Sequence, residues 1–242
     1  MNFPFKAIGF DWAYTLVDLG KEDDRKPLQK MFTFLGQKYI YLPRFEEFLD
    51  KFRKIFRPMI ESSLTTNQEA RFEVALKNLI NHFGIPLNAD ITLNKLLEVY
   101  YLEVYSERKV YPEVVSVLRS FKNMGARMGI ISNTTNPVFM KEKEMQATGL
   151  KPFFEFAIYS SDTPYRKPHP SIFELAMTHL DMNPAEILFV GDNISMDVEG
   201  AQGVGMKSAW LNRGGKNLPA GINPDYELHS LEDLFRIDLA VL

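Results

Sequence analysis

The sequence predicts an α/β protein, a doubly wound parallel sheet interrupted early by an all-α insertion. Three observations predict it. A short apolar run opens the chain and stops at Asp11. Between residues 26 and 105 the apolar residues recur at helical spacing. After "ERKVYP" strand-like runs and helix-length amphipathic stretches alternate to the end.

The first element, residues 5–10, suits a strand buried on both faces. Helices follow, marked by Leu28, Met31, Phe32 and Leu35, by Phe45, Phe48, Leu49, Phe52 and Phe56, and by Phe72, Leu76, Leu79, Ile80 and Phe83. Pro43 and Pro86 punctuate them, Thr66 with Glu69 has the spacing of a capping box, and Asp90 is placed to cap "ITLNKLLEVYYLEVY". The second half reads as helix "PEVVSVLRSFKNMG" closed by Gly125, strand "ARMGIIS", helix, strand "FFEFAIYSS", helix, strand "EILFVGD", helix and strand "KSAWLN". The expected division is therefore a core of residues 1–18 and 109–242 and a helical cap of residues 19–108.

Composition narrows the function classes. Of 242 residues 45% are hydrophobic and 24% charged, with a net charge of −3, so there is no electrostatic reason to expect a nucleic acid or an anionic membrane as partner. Without cysteine there is no disulfide framework, thiol nucleophile or thiolate metal site. The opening "MNFPFKAIGFDWAY" lacks the basic, apolar and small-residue order of a secretory signal, no run approaches the roughly 20 apolar residues of a membrane span, and a cytoplasmic location is the expectation.

The chemistry-bearing residues fall at the carboxyl ends of the predicted strands, where open parallel sheets place their ligands. Asp11 and Thr15 follow the first strand, Ser132 and Asn133 follow "RMGII", Lys167 lies in "YRKPHP" after the third, and Asp192 and Asp197 lie in "GDNISMD" after "ILFV". In this order they resemble the haloacid dehalogenase superfamily of hydrolases. Its signatures are a strand ending in D-x-D-x-T, a second ending in Ser or Thr, a Lys near a helix start, and an acidic GD-x3-4-D motif. "GVGMKSAWLNRG" and "PDYELHSLEDL" also look like its cap-bearing members.

That resemblance implies a Rossmann-like core with an inserted cap and a small phosphorylated metabolite as substrate. It makes Asp11 the nucleophile that forms an aspartyl-phosphate, with Lys167 bridging nucleophile and phosphate. Thr15, Ser132 and Asn133 would donate to phosphoryl oxygens. Asp11 and Asp192 suit a hard Mg²⁺ ion, the resemblance adds the backbone carbonyl of Ala13, and Asp197 supports the ligands from behind.

Ala13 is the departure from the pattern. It stands where the family's phosphatases carry the second Asp, the acid that protonates the leaving group and then activates water, a role worth roughly 10²- to 10⁴-fold. "DWA" also resembles phosphonoacetaldehyde hydrolase, which has Ala there and uses a cap lysine as a Schiff base, a part open to Lys51 or Lys54. That family has glycine in place of Tyr14 and an acidic motif one residue shorter, so it ranks second. The 2-haloacid dehalogenases put Tyr at the position of Ala13 and lack the acid that Asp192 supplies. A non-catalytic phosphate-binding relative is the further alternative.

The remaining features have plain structural readings. Trp12 reads as packing between core and cap, and the phenylalanines of residues 45–56 as core. Arg25, Arg44, Arg53 and Arg57 read as solvated faces, and His82, His169, His179 and His229 show no ligand spacing. Tyr14 reads as a bulky residue tolerated in the turn, since a phenol with pKa near 10 is a poor base at neutral pH.

Overall fold

β1 (Ala7–Phe10) is buried at all four positions, which the run Ala-Ile-Gly-Phe permits on both faces, and it accordingly lies inside the sheet rather than at an edge. The structure, a computed structural model, describes residues 3–21, 23–39 and 41–237. β4 (Arg127–Ser132) and β6 (Ile187–Gly191) flank β1 in parallel, pairing Gly9 with Gly129 on one side and with Phe189 on the other. With β5 (Phe156–Tyr159), β7 (Lys207–Leu211) and β8 (Tyr226–Leu228) the order is β5-β4-β1-β6-β7-β8, all parallel.

Alternation along β1 sends Ile8 and Phe10 to one face and Ala7 to the other. The first face is covered by α5 (Val114–Asn123) through Val117, Leu118 and Phe121 and by Met145 of α6 (Val138–Ala147). The second is covered by α7 (Pro170–Leu180), through Ile172, Phe173 and Ala176, and by Ala201 of α8 (Glu199–Gly203). The chain runs from β1 to β4 and β5 on one side and returns through β6, β7 and β8 on the other. The carboxyl ends of β1, β4 and β6 thus adjoin at the topological switch point, where such sheets form their binding crevice.

The helical insert lies between β2 (Val17–Asp18) and β3 (Lys109–Val110), an antiparallel pair that matches Asp18 with Lys109. It comprises α1 (Arg25–Gly36), α2 (Phe45–Thr66), α3 (Phe72–His82) and α4 (Leu93–Tyr105). These helices share a core of their own that includes Leu28, Met31, Phe48, Phe52, Phe72, Leu79 and Leu96. Each such side chain stabilises the insert by ~1.5–3 kcal/mol through removal from water. Among the described residues no helix is long and apolar enough to cross a membrane.

Several local expectations are corrected. Thr66 ends α2 instead of opening the next helix, Asn67 takes a left-handed φ of 55°, and α3 begins only at Phe72. Glu69 therefore caps nothing; it turns toward the sheet to accept hydrogen bonds from Ser160 and Arg166. α4 is capped by Thr92, whose hydroxyl accepts from the Lys95 N–H at 3.1 Å, and Asp90 lies outside the helix in a turn closed by Asn88. Pro58 sits within the 22-residue α2 without ending it. The ribbon β2–β3, the edge strand β8 and a π-helical turn at Ile194–Val198 were not readable from periodicity, being too short to show any.

Candidate active site

Asp11 is held one residue beyond β1 by its N–H, which donates to Val190 O at 2.9 Å and so extends the ladder to the strand end. The chain then turns back on itself, with Leu16 N–H and Val17 N–H both donating to Trp12 O at 3.0 and 3.1 Å. That tight turn puts Tyr14 at φ 59°, a left-handed conformation that glycine adopts freely and a bulky residue rarely does. The energetic cost of such a residue is of order 1–3 kcal/mol. Tyr14 and Ala13 both line the cavity of about 370 Å³ into which Asp11 faces.

Lys167 is fully buried, and its Nζ lies 2.7 Å from Asp11 Oδ1 and 2.6 Å from Asp197 Oδ1. Burial alone lowers the pKa of this ammonium, but the charges of Asp11 and Asp197 together raise it above the ordinary lysine value. The backbone of Lys167 is gripped by Asn133: the amide Nδ2 donates to Lys167 O at 2.9 Å, and Asn133 Oδ1 accepts from Lys167 N–H at 2.8 Å. Nδ2 also lies 3.4 Å from Met196 Sδ. The side-chain amide of Asn133 thus positions the lysine, and Asn133 lines the cavity beside Asp11. Thr15 is buried and sends its hydroxyl toward Asp11 Oδ2 at 3.5 Å, the outer limit of a hydrogen bond. Ser132, the last residue of β4, is buried and lines the cavity beside Asp11.

Asp197 folds back behind β6 from the π-helical turn, accepting from Asn193 N–H at 2.9 Å through Oδ2. Gly191 makes room for it: a Cβ at residue 191 would stand 2.3 Å from the Asp197 carboxylate. The glycine of "GD" is therefore required by a close approach. One carboxylate oxygen from each of Asp11, Asp192 and Asp197 lies within 4.8 Å of the others. Three carboxylates face one ammonium, so the cluster carries excess negative charge. Burial first, then Asp11 and Asp197, push the Asp192 carboxyl up to about 7. Burial likewise raises Asp197, against the pull of Lys167. A hard divalent cation fits this donor set, since it removes the repulsion. Asp197 has both oxygens engaged by Lys167 and Asn193, which leaves Asp11 and Asp192 as the candidate ligands.

Sequence reasoning missed a second buried group. Trp12 belongs to the core cluster rather than to a core–cap interface, and its indole N–H donates to Glu144 Oε1 at 3.1 Å. Glu144 is also ion-paired with Lys141 and lies 3.6 Å from Arg108 Nε, while Lys141 Nζ stands 4.9 Å from the Trp12 ring centroid. Lys141 and Arg108 line the cavity; burial lowers the pKa of Lys141. Lys51 and Lys54, in contrast, do not line it, and Lys54 is exposed in an ion pair with Asp50 at 2.7 Å. Neither of these two candidate cap lysines thus lies at Asp11. Glu69 and Arg166, 3.3 Å apart, also line the cavity and tie the insert to the core, with Arg166 donating to Ser63 of α2 at 2.8 Å. No local pattern announces either group, because each joins residues far apart in the chain.

The chain has counterparts among known proteins. The haloacid dehalogenase-like hydrolase family matches residues 45–211. A glyceraldehyde 3-phosphate phosphatase of Pyrococcus abyssi (strain GE5 / Orsay) is 30% identical over 201 residues, covering 75% of this chain and 84% of that protein. A solved HAD phosphatase from Thermococcus onnurineus superposes with a TM-score of 0.61 at 26% identity over 96% of each chain. A 2-haloacid dehalogenase from Pseudomonas syringae pv. Tomato DC3000 shares the fold with a TM-score of 0.76 at 22% identity, over 96% of this chain and 97% of that one. With Asp11, Ser132, Lys167 and Asp192 gathered at adjacent strand ends of a doubly wound sheet, the chain belongs to the haloacid dehalogenase-like hydrolases.

Proposed function

We propose that the protein is a cytoplasmic, Mg²⁺-dependent phosphatase that cleaves a small phosphorylated metabolite through an aspartyl-phosphate on Asp11, with the helical insert of residues 19–108 as its cap. The observation that carries this reading is the Asp11 carboxylate at the cavity floor, 2.7 Å from the Lys167 ammonium and clustered with Asp192. The naming of a relative as a glyceraldehyde 3-phosphate phosphatase supports the phosphate-ester class.

Lys167 contacts Asp11 and, with Ser132 and Thr15 at the same cavity end, offsets the charge of an approaching phosphoryl group. Asp11, Asp192 and the Ala13 carbonyl would hold Mg²⁺, which would supply the Lewis acidity that such a transfer uses. Asp11 attacks phosphorus through a carboxylate oxygen, the ester P–O bond breaks, and the alkoxide leaves to take a proton from water, since Ala13 has none to give. Water then attacks the phosphorus of the aspartyl-phosphate and the bond to Asp11 breaks; one proton of that water neutralises the hydroxide left by the first step, and the other leaves with inorganic phosphate as hydrogen phosphate. The missing acid costs roughly 10²- to 10⁴-fold in rate, so esters with good leaving groups are favoured. Release of inorganic phosphate from a panel of small phosphate esters with Mg²⁺, abolished by Asp11→Asn, tests the reading. Silence of the wild type on every ester would leave a phosphate-binding relative.

A further inference from the structure

The backbone bonds that close the turn after Asp11 end on the Trp12 and Val17 carbonyls. The Thr15 carbonyl accepts from a different part of the chain, Arg213 Nη2 at 3.1 Å and 198 residues away. Arg213 stands two residues beyond β7 on a rigid base. Its neighbour Asn212 is buried, with its N–H donating to Leu228 O at 2.7 Å and its side-chain amide exchanging two 2.8 Å hydrogen bonds with the backbone of Lys216.

The same guanidinium holds two further segments. Its Nη1 lies 2.5 Å from Oε1 of Glu113, the residue before α5, and its central carbon stands 3.9 Å over the ring of Tyr111. Tyr111 follows β3, and its N–H donates to Leu16 O at 3.1 Å. Since Thr15 and Leu16 precede β2, Arg213 sits both where the chain leaves the sheet for the helical insert and where it returns. The side chains of Arg213 and Glu113 are 22% and 13% exposed, so solvent screens their pairing little. A planar fork suits this place, because it stacks on a ring while its two ends donate in different directions, which an ammonium does not.

The turn needs such a hold. Tyr14, next to Thr15, is kept at the left-handed φ of 59°, and the cost of that conformation is of the same order as the worth of one hydrogen bond from a charged donor. Thr15 directs its hydroxyl at Asp11 Oδ2, and Ala13 and Tyr14 line the cavity, so a displaced turn moves the groups beside the nucleophile.

We propose that Arg213 is a positioning residue, which through the Thr15 carbonyl, Glu113 and Tyr111 fixes the turn after Asp11 to both roots of the helical insert. Its consequence for rate rests on the phosphatase reading of Asp11, and a measurement that uses no substrate keeps the two apart. Hydrogen–deuterium exchange read by mass spectrometry compares peptides spanning residues 12–17 with those of β4 in the wild type, Arg213→Met and Glu113→Gln. In Arg213→Met the turn amides exchange about tenfold faster or more, the fold-change that one hydrogen bond from a charged donor represents, while β4 keeps its wild-type protection. Glu113→Gln removes the paired charge and leaves the guanidinium in place; it gives a smaller change confined to the same turn and carries the test if Arg213→Met does not fold. With p-nitrophenyl phosphate and Mg²⁺, kcat of Arg213→Met falls by about tenfold or more while KM stays within about twofold, because a misplaced turn harms the transition state more than binding. Wild-type exchange of the turn in both variants, faster exchange spread evenly over the turn and β4, or an unchanged kcat in Arg213→Met overturns the inference. A wild type inert toward p-nitrophenyl phosphate counts against the phosphatase reading alone, and the exchange result then decides the role of Arg213 by itself.

Discussion

Replacing Lys167 by methionine keeps the chain length and apolar packing of the side chain and removes its charge from between Asp11 and Asp197, 2.7 and 2.6 Å away. Asp192 indicates what a carboxyl in this cluster experiences without a lysine contact, being pushed up to about 7 by burial and its acidic neighbours. A carboxyl raised from ~3.9 to that level holds ~4 kcal/mol of unfavourable free energy at pH 8, at ~1.4 kcal/mol per pH unit, and ~1.5 kcal/mol at pH 5. Breaking a buried ion pair by removing one partner costs ~3–5 kcal/mol, which agrees with the higher figure. The sign follows from proton binding: in the variant the folded state binds more protons than the unfolded one, so stability falls as pH rises from about 4 through the raised folded value. In the wild type the raised Lys167 contributes stability throughout this window, since its loss begins only near the alkaline pKa of an unfolded lysine, ~10.4. Urea unfolding followed by circular dichroism, with EDTA present, should show a loss of ~4 kcal/mol at pH 8 and of ~1.5 kcal/mol at pH 5. A loss under ~1 kcal/mol at pH 8, or one equal at the two pH values, would refute the ion-pair account.

The raised Asp192 carboxyl makes the metal-free fold lose stability as pH rises from about 4 to about 7, and a bound cation relieves this. Mg²⁺ should therefore raise the melting temperature more at pH 8 than at pH 5.5, and Asp192→Asn should remove the increment; equal increments at both pH values would contradict the proposed site. Ala13→Asp combined with Tyr14→Gly restores a carboxylate and relaxes the φ 59° turn. It should speed turnover of an alkyl phosphate by ~10²- to 10⁴-fold, whereas the wild type should show a burst of p-nitrophenolate from p-nitrophenyl phosphate and a phosphorylated Asp11 peptide by mass spectrometry. Gly191→Ala places a methyl group against Asp197, 2.3 Å from its carboxylate. Overpacking of this kind costs ~1–3 kcal/mol, so thermal unfolding should register it together with loss of phosphatase activity, and a variant of unchanged stability and rate would show that Asp197 is free to move.

The residues that share the sheet edge, Asp11, Ser132, Lys167, Asp192 and Asp197, were legible in the chain because two local signals suffice to place them: where an apolar strand stops, and in what order strands and helices alternate. The helical insert was legible for the same reason, since a 3.6-residue period persists over tens of residues. Contacts between distant segments were not. Thr66 and Glu69 have capping-box spacing, yet Glu69 bonds Ser160, 91 residues away, because a buried carboxylate finds more in a hydroxyl and a guanidinium than in one helix N–H. Asn133 at a strand end looks like a phosphate donor, and only the loop carrying Lys167 turns its amide to another use. Tyr14 in sequence is merely bulky, and its left-handed backbone follows from the turn that returns Val17 to Trp12. A second cavity, lined by Pro27, Phe56, Phe72 and Tyr101, joins four helices and the loop after β4. Strand ends and helical faces depend on neighbours a few residues apart and were determined by the sequence alone. The partners of Glu69 and Asn133, and the shape of the space beside Asp11, depend on burial, which tertiary packing decides.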